Sequence, residues 1–210
     1  MYMYGQPNNT ALSDGLAQLS ILQQNVTKSL IAQGDFLPWI DPGTYDIGAI
    51  QEPYMDHNHN SQAGHHWYTI YPKEHYINPV KMRSLMLINR QIATDAWSQV
   101  DFSSLDIIAI QLHTERGKIL KVNIYNNNVW QTGIKHTIWV TKDKVHSSDS
   151  IGHPTHMVWV GDFNLHHPCW DENQNIDLFM RMNLDKAQVL IDTIAKLDLQ
   201  MALPRGIPML

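Results

Sequence analysis

The chain has 210 residues, of which 43% are apolar, and a formal net charge of −5. This length and apolar content suit one domain with a sizeable core. The negative charge argues against a protein that coats nucleic acid by bulk electrostatic attraction. Its single cysteine, Cys169, excludes a disulfide framework and a cysteine-based zinc site. No apolar run approaches the roughly 18 residues needed to span a bilayer. The single cysteine fits a reducing compartment, so an intracellular protein is expected.

The first segment, residues 1–18, is rich in Asn, Gln, Gly and Ser and is expected to be a disordered leader. It lacks the basic and apolar regions of a signal peptide, so secretion is not expected. Residues 19–210 are predicted to form the folded domain. This domain begins with a strand over Leu19–Asn25, followed by a helix over Lys28–Phe36 that Pro38 ends.

Apolar and alternating runs predict the next strands. The run from Tyr45 ends on the carboxylate of Glu52, and Pro53 stops it. In the run that ends at Tyr125, residues Leu120, Val122 and Ile124 fall on one face. Further strands are predicted over His66–Tyr71, Ser84–Asn89, Leu105–Leu112 and Lys118–Tyr125.

A long polar segment, residues 126–156, follows these strands. From residue 116 to residue 144 the basic residues outnumber the single acidic one, Asp143. Such a local patch either grips a few phosphates or is simply a solvated loop. Its basic members are Arg116, Lys118, Lys121, Lys135, Lys142 and Lys144. We refer to these six residues as the basic segment.

The apolar run Met157–Val160 predicts a buried strand that leads into Gly161-Asp162-Phe163-Asn164. If the chain stays extended, Asp162 and Asn164 point to the same face because they are two residues apart. A carboxylate and a carboxamide aimed together suit a hydrated Mg²⁺ and a phosphate oxygen. The alternative is a turn in which both side chains bond to nearby backbone.

The last predicted element is a helix that begins after Asn183 and packs an apolar stripe on the core. The stripe consists of Leu184, Ala187, Leu190, Ile191, Ile194 and Leu197. Buried strands that alternate with such helices predict sheets covered by helices, either as one doubly wound sheet or as a two-sheet sandwich.

Polar residues follow the carboxyl ends of several predicted strands, where ligand sites of α/β folds collect. The chain therefore predicts one site that draws its side chains from separate strand ends. Its candidate members are Asn25, Glu52, Tyr125, Asn128, Asp162 and Asn164.

Two of these strand ends carry recognisable motifs. In order and spacing, Gln51-Glu52-Pro53-Tyr54 and Gly161-Asp162-Phe163-Asn164 resemble motifs of the endonuclease/exonuclease/phosphatase superfamily. The extension His166-His167-Pro168-x-Trp170 and the segment Leu203–Pro208 resemble, more specifically, the endonuclease domain of non-LTR (LINE-type) retrotransposons. The resemblance covers residues 19–210.

The resemblance extends to two further strands. Asn25 matches the asparagine of the family's first strand. Tyr125 and Asn128 match its Tyr-x-Pro-Asn motif, with Asn127 where proline is usual. The resemblance therefore implies that Tyr125 and Asn128 are catalytic residues.

The resemblance implies a four-layer α/β sandwich of the DNase I-like type and a nuclear, DNA-nicking endonuclease that uses Mg²⁺ or Mn²⁺. It implies that Glu52 and Asn25 hold the ion and that Asp162 orients or deprotonates the attacking water. Asn164 and Tyr125 would donate to the phosphate oxygens, and Asn128 is a further catalytic candidate. His166 and His167 either shape their loop or bind substrate phosphate.

The sequence also departs from the family. Relatives continue to a late aspartate and a Ser-Asp-His motif, whereas here Ser13-Asp14 precedes Gly15 and Ser148-Asp149 precedes Ser150. The chain is therefore expected to match about the first two-thirds to three-quarters of the family's domain. The alternative function is a catalytically inactive retroelement remnant that at most binds nucleic acid or a partner. A phosphatase or sphingomyelinase relative is disfavoured by the retroelement-like segments.

Overall fold

The computed structural model describes residues 2–3, 18–115, 117–126 and 155–202. Within these ranges two helices flank the strands, α1 over Leu30–Trp39 and α2 over Arg181–Lys196. Short 3₁₀ helices cover Lys73–Tyr76, Pro79–Lys81 and Asn173–Leu178. The strands are β1 (Tyr2–Met3), β2 (Ile21–Asn25), β3 (Ile47–Gln51), β4 (Trp67–Ile70), β5 (Ser84–Asn89), β6 (Trp97–Val100), β7 (Ile107–Thr114), β8 (Gly117–Tyr125) and β9 (Thr155–Asp162).

The strands form two mixed sheets. We call the sheet with strand order β2-β3-β5-β4 the first sheet, and the sheet with order β1-β9-β8-β7-β6 the second sheet. In the first sheet β2 runs parallel to β3, and in the second β8 runs parallel to β9. All other neighbouring pairs are antiparallel. Each parallel pair brings two strand carboxyl ends to one edge of its sheet.

Three apolar clusters stack these elements into four layers. Phe36 of α1 packs on Ile50 and Leu87 of the first sheet. Ile47 and Met86 of that sheet face Ile108 and Ile110 of the second sheet. On the far side of the second sheet, residues such as Val122 and Trp159 pack against Ala187 and Leu190 of α2. The predicted four-layer α/β sandwich is confirmed.

Both helices differ at their ends from the prediction. Helix α1 continues through Pro38 to Trp39. A proline in the last turn removes only one backbone donor, and the N–H of Ile40 still donates to the Phe36 carbonyl at 3.2 Å. Helix α2 begins at Arg181, before Asn183. The side chain of Asn183 does not cap α2 from the predicted position; its Nδ2 donates to the Leu178 carbonyl at 2.9 Å.

Several predictions fall wholly or partly outside the described residues. Of the leader, the described part is Tyr2–Met3, which pairs antiparallel with β9, and Gln18. The segment 127–154 and the motif Leu203–Pro208 also lie outside the described ranges. Neither of the two described helices is long and apolar enough to cross a membrane.

Candidate active site

Three of the predicted site residues meet around one side-chain amide. Asn25 Nδ2 donates to Asp162 Oδ2 at 2.8 Å and lies 3.3 Å from Glu52 Oε2. The amide oxygen of Asn25 faces away from both carboxylates and accepts from Thr27 N–H at 2.8 Å. Residues 137 positions apart in the chain are thus joined in a single hydrogen-bonded group.

Strand pairing explains why these residues meet. Asn25 ends β2 opposite Gln51, the residue before Glu52, and Tyr125 ends β8 opposite Asp162. The two parallel pairs belong to different sheets that pack face to face, so the site takes Asn25 and Glu52 from one sheet and Tyr125 and Asp162 from the other.

Tyr125 completes the group at the end of β8. Its hydroxyl makes a side-chain hydrogen bond with Glu52. Burial, followed by the negative charge of Glu52, that hydrogen bond and the charge of Asp162, raises the pKa of Tyr125 above its usual value, and Arg83 partly opposes the rise. The Tyr125 hydroxyl therefore keeps its proton at neutral pH and is available as a donor.

Arg83 and Asp106 support the tyrosine from beside the site. The guanidinium of Arg83 lies 5.2 Å from the centroid of the Tyr125 ring. It also donates twice to Asp106, from Nε at 2.7 Å and from a terminal nitrogen at 2.8 Å. Burial raises the pKa of Asp106, although Arg83 acts in the opposite direction. Motif matching did not find this pair, since its members lie outside the recognisable motifs.

Asn164 lies beside the group but is turned away from it. Its backbone has a φ of +46°, its N–H donates to Asp162 Oδ1 at 3.0 Å, and its Nδ2 donates to the Asn126 carbonyl at 2.7 Å. The expectation that the chain stays extended from Asp162 to Asn164 is therefore wrong; the local turn forms instead. A contact between Asn164 and substrate stays a prediction.

Asn126 is a further residue that the sequence analysis did not single out. Its N–H donates to the Asp162 carbonyl at 2.8 Å and its Nδ2 to the Phe163 carbonyl at 2.6 Å. It therefore holds the loop after β9 against the end of β8. The signal available in the sequence was its place directly after Tyr125. Asn128 lies outside the described residues.

His166 and His167 contact their own loop. His166 Nδ1 lies 3.5 Å from Asp171 Oδ2, and His167 Nδ1 accepts from Cys169 N–H at 3.1 Å. The His167 ring also lies 5.1 Å from the ring of Trp170, whose Nε1 donates to the Leu165 carbonyl at 2.8 Å. Burial lowers the pKa of His167, with Asp171 opposing. Substrate binding by either histidine stays a prediction.

The electrostatics of the site favour a cation. The carboxylates of Glu52 and Asp162 both approach the side-chain amide of Asn25, so two negative charges lie close together. Among the described residues no basic side chain forms an ion pair with either of them. No group of three or more His, Cys, Asp or Glu side chains able to hold a metal occurs in the described ranges. Two carboxylates nevertheless fit Mg²⁺, which commonly takes one or two from a protein and completes its shell with water and phosphate.

One residue of the basic segment is buried in the core. Lys121 is fully buried, so it cannot contact a phosphate on the surface. Lys118 is half-buried on the same strand, and the other four residues of the segment lie outside the described ranges.

Comparison with solved structures identifies proteins whose folds resemble this one. The structure is similar to the endonuclease domain of TRAS1, a telomere-specific non-LTR retrotransposon, with a TM-score of 0.61 and 14% identity over 91% of this chain and 76% of that one. It also matches humanized D. rerio TDP2 carrying 14 mutations, with a TM-score of 0.43 and 8% identity over 77% of this chain and 66% of that one. No protein-family model and no curated protein matches the chain. The likeness to the TRAS1 domain shows a DNase I-like fold.

Proposed function

We propose that this chain is a divalent-metal-dependent phosphodiesterase that nicks DNA, as a retrotransposon endonuclease does. The observation that carries the proposal is the convergence of Asn25, Glu52, Tyr125 and Asp162 at paired strand ends. The fold shared with the TRAS1 endonuclease domain supports the reaction class.

Glu52 is the proposed principal ligand of a Mg²⁺ ion, because its carboxylate reaches the site and has no ion-pair partner among the described residues. When bound, the ion would supply charge to offset the developing charge on the phosphate and on the leaving oxygen. Asn25 would hold the carboxylates of Glu52 and Asp162 in register through its Nδ2. A ligand role for Asn25 itself stays a prediction and would require its side-chain amide to turn over.

Asp162 is the proposed acceptor for the proton of the attacking water. Its carboxylate is fixed by Asn25 on one oxygen and by the Asn164 N–H on the other, which restricts the direction in which it accepts. Tyr125, which remains protonated, would donate to a phosphate oxygen and stabilise the charge that develops there.

The test is nicking of supercoiled plasmid by the purified chain in the presence of Mg²⁺. We expect EDTA to abolish nicking, and Glu52→Gln and Asp162→Asn each to reduce it by roughly 10²-fold or more, as for loss of one charge-stabilising group. Asp185→Asn is the matched control, since it makes the same chemical change on an exposed face of α2 and should leave the rate unchanged.

Two results would contradict the mechanism: nicking that resists EDTA, or a Glu52→Gln protein as active as the wild type. A wild-type chain that folds and binds DNA but does not nick it would favour the inactive remnant.

A further inference from the structure

A layer of buried polar side chains lies between the two sheets directly beneath the candidate site. Gln51, Ser84 and Asn123 are each 0% exposed. The neighbouring inter-sheet core is apolar and contains residues such as Ile47 and Ile108. Buried amides in such surroundings are costly unless their donors and acceptors are bonded.

These side chains satisfy one another in a continuous chain of hydrogen bonds. Gln23 Nε2 donates to Gln51 Oε1 at 2.5 Å, and Gln51 Nε2 donates in turn to Asn123 Oδ1. Asn123 Nδ2 then donates to two backbone carbonyls, of Leu85 at 2.8 Å and of Ile50 at 3.1 Å. Asn123 thus uses both amide hydrogens and its side-chain oxygen.

The side-chain hydrogen-bond partners of Asn123 all belong to the opposite sheet. Asn123 lies on β8 of the second sheet, whereas Ile50 and Gln51 lie on β3 and Leu85 lies on β5 of the first. Ser84 Oγ of β5 also donates to the Asn123 backbone carbonyl at 3.1 Å. The cluster is therefore a directional link between the sheets, in contrast to apolar packing, which has no preferred direction.

The link lies next to the site along several strands. Gln51 directly precedes Glu52. Gln23 lies two residues before Asn25, and Asn123 lies two residues before Tyr125, so each shares a strand face with that site residue. Because Glu52 belongs to one sheet and Asp162 to the other, a shift of the sheets would change the separation of their carboxylates.

We infer that Asn123 is a positioning residue that sets the separation between the Glu52 and Asp162 carboxylates through its hydrogen bonds across the sheets. This inference rests on the proposed function, since the separation matters only if Glu52 binds an ion and the Asp162 carboxylate lies close enough to that ion to strengthen its binding. The proposed effect is on metal affinity first and on nicking as a consequence. It distinguishes Asn123 from a polar residue that merely stabilises the core.

The test measures Mn²⁺ binding by electron paramagnetic resonance of the free ion, with no DNA present, so it does not depend on activity. Asn123→Leu preserves the approximate volume and removes the side-chain hydrogen bonds of Asn123 across the sheets, leaving only the bond from Ser84 Oγ to its backbone carbonyl. We expect about tenfold weaker Mn²⁺ binding, the lower end of the effect that outer partners of metal ligands have. We also expect a parallel rise in the Mg²⁺ concentration for half-maximal nicking.

Val122→Ala is the matched control. Val122 neighbours Asn123 on β8, is 0% exposed and packs on the α2 side of the sheet, so its truncation weakens the core without touching the link. We expect this variant to lose thermal stability and to keep wild-type Mn²⁺ affinity. If Asn123→Leu does not fold, Gln51→Met replaces it and should weaken Mn²⁺ binding in the same way.

The outcomes separate the inference from the function on which it rests. If wild type and Glu52→Gln bind Mn²⁺ equally weakly, the proposed metal site itself is wrong. If Glu52→Gln loses affinity while a folded Asn123→Leu or Gln51→Met protein binds Mn²⁺ like the wild type, the positioning role is overturned. Weakened binding by the Val122→Ala control would also overturn it, because general loss of stability would then explain the effect.

Discussion

Glu52 has a left-handed backbone, with a φ of +47°, which is uncommon for a residue with a side chain of this size. Two backbone hydrogen bonds fix it there: its N–H donates to the Arg83 carbonyl at 2.9 Å and its carbonyl accepts from Lys28 N–H at 2.7 Å. Thr27, Lys28 and Asn164 share the left-handed conformation. Unfavourable backbone conformations thus gather where the candidate site lies, as they do where the surrounding fold fixes a functional geometry.

Gly161 is required by the close approach of two strands. It has a φ of +145°, and a Cβ there would lie 1.9 Å from the backbone oxygen of Ile124, its partner on β8. No other residue fits this position without moving the strand. The glycine of the Gly-Asp-Phe-Asn motif therefore has a structural role: it lets β9 deliver Asp162 beside Tyr125.

Lys121 is a buried ionisable residue that the proposed mechanism does not use. It is 0% exposed, and its Nζ has no hydrogen-bond partner among the described residues. Burial lowers the pKa of Lys121 well below its usual value, so the folded chain keeps the amine neutral where the unfolded chain protonates it. Stability is therefore lost as the pH falls below the unfolded-state pKa, and the loss stops at the folded-state pKa.

We predict that Lys121→Met raises the free energy of unfolding at neutral pH by at least about 1 kcal/mol, because it removes an unpaired buried amine. In the alkaline range below the unfolded-state pKa of Lys121, the wild type should gain stability as the pH rises, with a slope of up to about 1.4 kcal/mol per pH unit, and the variant should lose this slope. Urea unfolding across this pH range measures both effects.

Lys118→Met is the control for this substitution, because it makes the same change on the same strand at a half-buried position. It should keep the wild-type slope. A Lys121→Met protein that is less stable than the wild type would show that the amine is bonded in the folded state, and a variant that keeps the slope would show that another group causes it.

At the scale of elements, α1 contains an interior glycine whose replacement is expected to stabilise the protein. Gly34 lies in the helix interior, is exposed, and a Cβ there meets nothing within 4 Å. We predict that Gly34→Ala stabilises the protein by roughly 0.5–1 kcal/mol, because glycine loses more backbone entropy on folding. A rise in the midpoint of thermal or urea unfolding would be the expected result.

Gly48→Ala provides the contrast, since a Cβ there would lie 2.4 Å from Ile40 Cδ1 and 3.2 Å from Leu87 Cβ. It should destabilise the protein by about 1–3 kcal/mol through overpacking between α1 and the first sheet. Equal effects of the two alanines would mean that packing at β3 is looser than these distances indicate.

The sequence predicted the strands whose residues are apolar on both faces, and the prediction for Ser84–Asn89 matches β5 in both bounds. It missed β6, a four-residue strand at the edge of the second sheet. Ser98 and Gln99 of β6 are exposed, so the run carries little apolar signal, and its pairing with β7 comes from tertiary structure. The start of α2 was misplaced for a similar reason, because its N-cap residue, Met180, forms no side-chain cap.

For the whole molecule, the strand-end pattern predicted that Asn25, Glu52, Tyr125 and Asp162 would share one end of the fold, and the structure brings them together. The pattern could not show that they come from two sheets. Nor could it show which atom of Asn25 faces the carboxylates. Both depend on how the sheets pack and on side-chain torsions, which motif spacing does not encode.

The charge of the whole chain bears on how it would approach DNA. With a net charge of −5, binding depends on local basic groups. Lys121 is buried, so the basic segment can offer at most its other five members. Lys135, Lys142 and Lys144 cluster at its end in the sequence and are proposed to contact DNA phosphates.

We predict that replacing these three lysines together by glutamine weakens DNA binding and lowers the magnitude of the slope of log K against log salt by about 0.9 for each phosphate that is no longer neutralised. The control is the triple variant Arg181→Gln, Lys186→Gln, Lys196→Gln, which removes equal charge from α2. Fluorescence anisotropy with a labelled duplex at several salt concentrations measures both slopes. If the segment binds DNA, only the variant in the segment changes the slope. Equal changes in both variants would mean that net charge alone governs the interaction. No change in either variant would mean that the three lysines of the segment are solvated and do not contact DNA.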